Sequence, residues 1–231
     1  MSLFSPVQSR PVILSSSAES QVYGLFAVAM ALTVLGVYLG LQFASALLSS
    51  GIMLFLLLAE LGIVFTSGIW MNRSPLNYIL FVLFPVFSGL TLTPYILLVL
   101  TGYANGATIL LNALGATTCM ALTAALFARF TTWNLGVIGK ALFFALLGFV
   151  GFALLQVFFP TLRGTGMETL FSGAGIVLFS VFTAYDIQRI QVQARLGVSP
   201  FQLALSLYLD IYNLFVMVLR FMLAMSGNRR N

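Results

Sequence analysis

The sequence predicts an all-α integral membrane protein of seven transmembrane helices, and three observations carry that reading. Of 231 residues, 61% are hydrophobic and only 6% are charged, whereas roughly a quarter of the residues in a soluble domain are charged. The apolar residues fall in seven runs of about 20 residues or more, each long enough to cross a ~30 Å hydrocarbon core. The connections between the runs are too short to hold a folded soluble domain. The chain therefore divides into a disordered tail over 1–20, a membrane domain over 21–226 and a short tail over 227–231.

The N-terminal tail is Ser-rich, carries Pro6 and Pro11, and lacks the charged-then-apolar order of a cleavable signal peptide. The first helix is expected over 21–48 and the second over 51–71. Asn72, Arg73, Ser74 and Pro75 make a turn, with Pro75 placed to open the third helix over 76–101. Pro85 and Pro94 lie inside that helix, where they should kink it and free carbonyls that neighbours must satisfy. The fourth helix is expected over 106–129 and the fifth over 134–159, closed by Pro160. A polar connection with Arg163, Gly164 and Glu168 leads to the sixth helix over 169–191. A turn with Arg195, Gly197 and Pro200 leads to the seventh over 201–224.

With seven crossings, the side of the N-terminus carries Arg73, Arg129, Lys140, Arg189 and Arg195, and the opposite internal loops carry only Arg163. The positive-inside rule then places the N-terminus in the cytoplasm and the C-terminus outside, with Arg229 and Arg230 counting against that orientation. Trp70 and Trp133 fall at the expected cytoplasmic interface, where aromatic belts sit. Short loops and tails suit a bacterial plasma membrane.

Composition excludes several functions. The net charge of +5 includes no dense Lys/Arg cluster with interleaved aromatics, so nucleic acid is not an expected partner. The chain has no histidine, which removes HExxH zinc sites, a Ser–His–Asp triad and the usual pH-switch side chain. Proton chemistry must come from carboxylates. The single cysteine, Cys119, lies in an apolar run and reads as a small core residue. No cofactor is implied.

Three acids lie within the expected spans: Glu60, Asp186 and Asp210. An ionised carboxylate at the bilayer centre costs from ~3 to over ~10 kcal/mol, so each is a functional candidate; the plainer alternative is an interhelical hydrogen bond made by a neutral acid. At 1.5 Å per residue, Asp186 lies about 7–8 Å above the cytoplasmic end of the sixth helix and Asp210 about 13 Å above the start of the seventh. A hairpin would bring both to similar depth, with contact depending on helix rotation. Ser206, Asp210, Asn213, Met217 and Arg220 recur at steps of four and three on one face of the seventh helix. Arg189 shares a face with Asp186 and could pair with it, but snorkelling to the interface is the favoured reading. If the two aspartates meet, their titrations couple, giving a histidine-free chain a pH sensor.

The segment Ser206-Leu-Tyr-Leu-Asp-Ile-Tyr-Asn-Leu-Phe215, followed by Leu219-Arg220, resembles the C-terminal signature of the Bax inhibitor family, the transmembrane BAX inhibitor motif proteins, in its bacterial type. Tyr185-Asp-Ile-Gln188, Glu60 in a helix ending Trp70-Met71, and Ser88-Gly-Leu-Thr-Leu-Thr-Pro94 match as well. The resemblance implies seven helices with the seventh central between two three-helix layers. It also implies a pH-sensitive calcium leak channel, with Asp186 and Asp210 as the sensor pair. In bacterial relatives a basic residue at the end of the second helix latches that pair; here Asn72 intervenes and Arg73 takes that role only after a one-residue shift. Glu60, Arg73, Asn213, Ser206 and Arg189 are the candidates for gate and path. Asp186, Asp210 and Glu60 are the candidate transient calcium ligands, a sparse set against the 6–8 oxygens calcium takes, as suits an ion that must leave. Expected partners are the bilayer, calcium and protons, with membrane proteins possible.

Two readings compete. An intramembrane aspartyl protease would also use two aspartates to activate water, but Asp210 follows Leu207-Tyr-Leu rather than Gly-x-Gly. The long connection and Pro-Ala-Leu element of that family are missing too. An enzyme is therefore not expected. A non-conducting regulator that binds membrane proteins fits the same fold. A retinal receptor does not, because the only lysine is Lys140, on the fifth helix.

Overall fold

A computed structural model describes residues 15–49 and 51–226. Its elements are helical, with no β-strand among the described residues. Helices are the form an open chain takes in hydrocarbon, because they satisfy backbone polar groups internally. The helices are α1 (Ser15–Gln42), α2 (Ala44–Ser49), α3 (Ile52–Phe65), α4 (Ser67–Trp70), α5 (Leu76–Gly102), α6 (Gly106–Phe130), α7 (Gly139–Phe158), α8 (Thr165–Gln193) and α9 (Pro200–Met225). Short 3-10 turns occupy Leu135–Ile138, Pro160–Arg163 and Ala194–Leu196.

Among the described residues, six helical stretches are long and apolar enough to cross a membrane: Ala18–Gln42, Leu76–Gly102, Gly106–Phe130, Leu135–Gln156, Thr165–Leu196 and Pro200–Met225. The expected second helix is not among them. It is broken at Thr66, whose hydroxyl donates to Gly62 O at 2.6 Å. The indole Nε1 of Trp70 donates to Ile63 O at 2.9 Å, so a side chain from seven residues on serves a carbonyl at the break. That bond corrects the reading of Trp70 as an interfacial aromatic, since its ring is only 2% exposed. Trp133 is exposed.

The expected first helix is also divided. Phe43 interrupts it, although Phe43 N→Leu39 O and Leu47 N→Phe43 O bonds carry the chain direction into α2. At its other end α1 begins at Ser15, so part of the expected tail is helical. Residues 1–14 and 227–231, Arg229 and Arg230 among them, lie outside the described residues. Both Pro85 and Pro94 sit within an unbroken α5. Cys119 faces outward from α6 rather than into the core.

Two packing relationships position the rest. α1 and α5 run parallel with their backbones in contact. A Cβ at Gly36 would collide with Val86 O, and one at Gly40 with the Thr93 side chain. A Cβ at Gly89 would collide with Thr33 O and lie 2.7 Å from Val37 N. Parallel neighbours need a return connection, and α2, α3 and α4 make it.

α8 and α9 form an antiparallel hairpin that ties Glu168 to Arg220 at one end. α9 also packs on α1, α5 and α6. Its side chains run through both hydrophobic clusters. Leu203, Leu207 and Tyr208 join Trp70, Phe81 and Ile190 in one, and Leu214, Val218 and Leu219 join Val99, Ile109 and Phe179 in the other. α7 is peripheral and exposes Phe143, Phe144, Leu147 and Leu154, the apolar surface a lipid-facing helix presents.

Candidate functional site

The turn that closes the α8–α9 hairpin sets the site. Gly197 takes φ +77°, the left-handed conformation that glycine adopts without penalty. Around it Val198 N donates to Gln193 O at 3.2 Å and Gly197 N to Ala194 O at 3.4 Å, ending α8 as Schellman-type caps do. Pro200 then opens α9 at its first turn. This tight reversal lays the last turns of α8 against the first turns of α9.

Asp186 on α8 and Asp210 on α9 meet there. They are 3% and 7% exposed, and their carboxyls lie within hydrogen-bonding reach of each other, with the Ser206 hydroxyl also beside Asp186. Arg189 donates from Nη1 to Asp186 Oδ1 at 3.0 Å and from Nε to Gln193 Oε1 at 2.8 Å. Arg189 therefore pairs with Asp186 and does not snorkel away. One oxygen of each aspartate, Oδ2 in both, is buried without a hydrogen-bond partner among the described residues. Two ionised carboxylates offer only acceptors, and a proton held between them supplies the missing donor. The pair can thus bind and release a proton where α8 and α9 touch.

Other sequence candidates lie elsewhere. Arg73 is exposed and makes no ion pair with either aspartate among the described residues, so the latch expected of it is absent from this arrangement. Asn213 turns its Nδ2 back to Leu209 O of its own helix at 2.7 Å. Met217 is buried against Gly175. Arg220 holds Glu168 through Nε–Oε1 at 2.6 Å and Nη2–Oε2 at 2.9 Å, with its guanidinium 5.0 Å from the Phe171 ring centroid. The polar stripe of α9 therefore serves two separate places: the aspartate pair near the hairpin turn and this ion pair near the far end.

Glu60 belongs to a third cluster. Thr91 Oγ1 approaches its two carboxyl oxygens at 3.3 and 3.4 Å, and the Ser88 hydroxyl is also within reach. Tyr212 donates to Ser88 O at 3.1 Å, and Tyr208 shares a 2.7 Å bond with Thr33. Sequence reasoning missed the two tyrosines. Their spacing of four, two residues out of step with Asp210, was the available signal that α9 carries a second polar face. No group of three or more His, Cys, Asp or Glu side chains that could hold a metal ion occurs among the described residues. Two carboxylates and a hydroxyl fall short of a resident calcium site, and Glu60 does not complete it.

Charge is also distributed unevenly between the ends of the bundle. At the end holding the α8–α9 turn, Glu19 lies 3.9 Å from Arg129 and 3.7 Å from Arg195. Gln188 accepts from Leu135 N at 2.7 Å there and donates to Trp133 O at 2.9 Å, tying α8 to the chain that enters α7.

Residues 16–228 match the family model described as inhibitor of apoptosis-promoting Bax1. An uncharacterised protein of Campylobacter jejuni is 35% identical over 201 residues, which cover 86% of this chain and 84% of that one. An uncharacterised protein of Helicobacter pylori is 32% identical over 198 residues, covering 86% and 82%. The inner membrane protein YbhL of Escherichia coli is 29% identical over 226 residues, covering 91% of each chain.

Proposed function

The chain belongs to the Bax inhibitor family of integral membrane proteins, and from that premise we propose that it is a pH-sensitive calcium leak channel gated by the Asp186–Asp210 pair. The observation that carries the reading is the pair itself: two buried carboxyls from adjacent helices, facing each other with one partnerless oxygen apiece. Protonation changes the charge at the α8–α9 contact. A helix packed on four others then shifts between closed and open arrangements, because packed interfaces are bistable rather than continuously deformable. Calcium is cargo, passing weak oxygen ligands on its way. The protein is not an enzyme in this reading.

The same proposal counts seven crossings. α3 and α4 together return the chain across the bilayer despite the break at Thr66, and α9 lies central between two three-helix layers. The end with Arg129 and Arg195 faces the cytoplasm, by the positive-inside rule, and the host membrane is a bacterial inner membrane.

The test is calcium influx into dye-loaded liposomes across about pH 5.5–8, comparing the wild type with Asp186→Asn and Asp210→Asn. Flux that depends on protein and pH, with a profile flattened in both variants, is expected. A folded protein giving no flux above empty liposomes would replace this reading with the non-conducting regulator.

A further inference from the structure

A cleft of about 610 Å³ opens on the outer face of the bundle between α1 and α6. Its floor is made by buried Leu92, Ile187 and Leu207, and its rims by Val34, Leu114 and Leu122, which are 69%, 51% and 59% exposed. Along α1 it runs from Tyr23 to Val37, about 21 Å at the helical rise, against ~15 Å for one leaflet of a ~30 Å hydrocarbon core. Its lining is almost wholly apolar and it faces the lipid side, so in a bilayer a hydrocarbon chain is the solvent that enters it.

The cleft also has one charged end. Tyr23 lies at that end with its hydroxyl within hydrogen-bonding reach of Arg129. Arg129 and Arg195 flank Glu19 there, and their side chains remain 57% and 62% exposed. Two guanidinium groups against one carboxylate leave a net positive charge at the mouth, with donors free for a phosphate. An apolar trough long enough to take the hydrocarbon of one leaflet, ending at a cationic rim, complements an anionic phospholipid.

We propose that the α1–α6 cleft is a binding site for one acyl chain of an anionic phospholipid whose phosphate is held by Arg129 and Arg195. The floor includes Leu207, Ile211 and Tyr212 of α9, so the bound chain touches the helix that carries Asp210. The site itself does not depend on whether the protein conducts ions.

Native mass spectrometry of the purified protein, exposed to phosphatidylglycerol or phosphatidylcholine of the same chain length, tests the site. The wild type is expected to retain one lipid, with a roughly fivefold preference for phosphatidylglycerol, the effect of one net cation near a membrane surface. Ala121→Trp and, independently, Ala125→Phe fill the cleft from α6 and should abolish retention of both lipids, while thermal unfolding shows that each remains folded. Arg129→Gln combined with Arg195→Gln should keep a lipid but erase the preference. Retention that persists in a folded cleft-filling variant overturns the chain site. A preference that survives loss of both arginines overturns the headgroup assignment.

Discussion

Arg189 reaches Asp186 from one turn further along the same helix, Nη1 to Oδ1 at 3.0 Å. The cation facing the aspartate pair is therefore carried by α8, and not by the loop that follows α4. A pair held by its own helix keeps its partner through any movement of α9, whereas a latch from the α4–α5 loop would join separate elements. Gln193 fixes the guanidinium from the other side at 2.8 Å, so the arrangement is held at both edges.

Removing that cation tests its electrical role. A neighbouring positive charge favours the ionised form of a carboxylate, and its removal favours the protonated form. If the pair gates flux as proposed, Arg189→Gln is expected to move the midpoint of the flux–pH profile upward. Arg73→Gln, at an exposed position without an ion pair to the aspartates, should leave it unmoved. The liposome calcium assay reads both. A midpoint that moves with Arg73 and not with Arg189 would restore the loop latch.

How far these features were legible in the sequence depends on what sort of information they need. Helix existence needs only apolar length and punctuation, and the ranges expected from α5 to α9 agree with the structure to within a few residues. The breaks at Phe43 and Thr66 were not legible, because Gln42 and the Thr66-Ser67-Gly68 step are short interruptions in stretches whose total apolar length still suffices for a crossing. At Thr66 the backbone is served by the side chains of Thr66 and Trp70, a tertiary detail. The three intramembrane acids stood out by their cost in hydrocarbon. Helical spacing could not say that Asp210 faces α8 while Tyr208 and Tyr212 face Thr33 and Ser88. Arg189 was misassigned for a similar reason: a long cation near a helix end can snorkel or pair, and only the position of Gln193 and the burial of Asp186 decide between them.

Close backbone contact between α1 and α5 predicts a strong asymmetry among glycines. A methyl group at Gly89 meets backbone atoms of Thr33, Gly36 and Val37, which cannot turn aside. A methyl group at Gly62 on α3 would meet nothing within 4 Å. Gly89→Ala should destabilise the protein by about 1–3 kcal/mol, the usual range for overpacking. Gly62→Ala should be neutral. Thermal unfolding in one detergent compares them, and equal midpoints would mean that α1 and α5 are not in backbone contact in solution.

The same parallel pairing makes a statement about topology. If α1 and α5 both cross in one direction, the chain between them returns through α3 and α4, and the described termini at Ser15 and Ser226 lie on opposite sides. Alkaline phosphatase fused after the last residue should be active in a bacterial host, while a green fluorescent protein fused there should be dark. Fusions at the N-terminus should show the reverse. Matching reporters at both ends would mean six crossings, with α3 and α4 lying within one face of the membrane.

Glu168 and Arg220 tie the other end of the α8–α9 hairpin. Their two short hydrogen bonds form a bidentate pair, each side chain is only 24% exposed, and Phe171 lies beside the guanidinium. Charged hydrogen bonds in such partly desolvated settings contribute about 1.5–3 kcal/mol, more than the ~0–1 kcal/mol of an exposed ion pair. Arg220→Gln should therefore lower the unfolding midpoint clearly, because it leaves Glu168 without its partner. Arg195→Gln, where the arginine lies 3.7 Å from Glu19 with its own side chain 62% exposed, should barely change it. Exchanging the pair, Glu168→Arg with Arg220→Glu, should recover part of the loss if the attraction itself matters, and little of it if the stacking of Arg220 on Phe171 dominates. Equal losses for Arg220→Gln and Arg195→Gln would show that the far end of the hairpin is held by apolar packing alone.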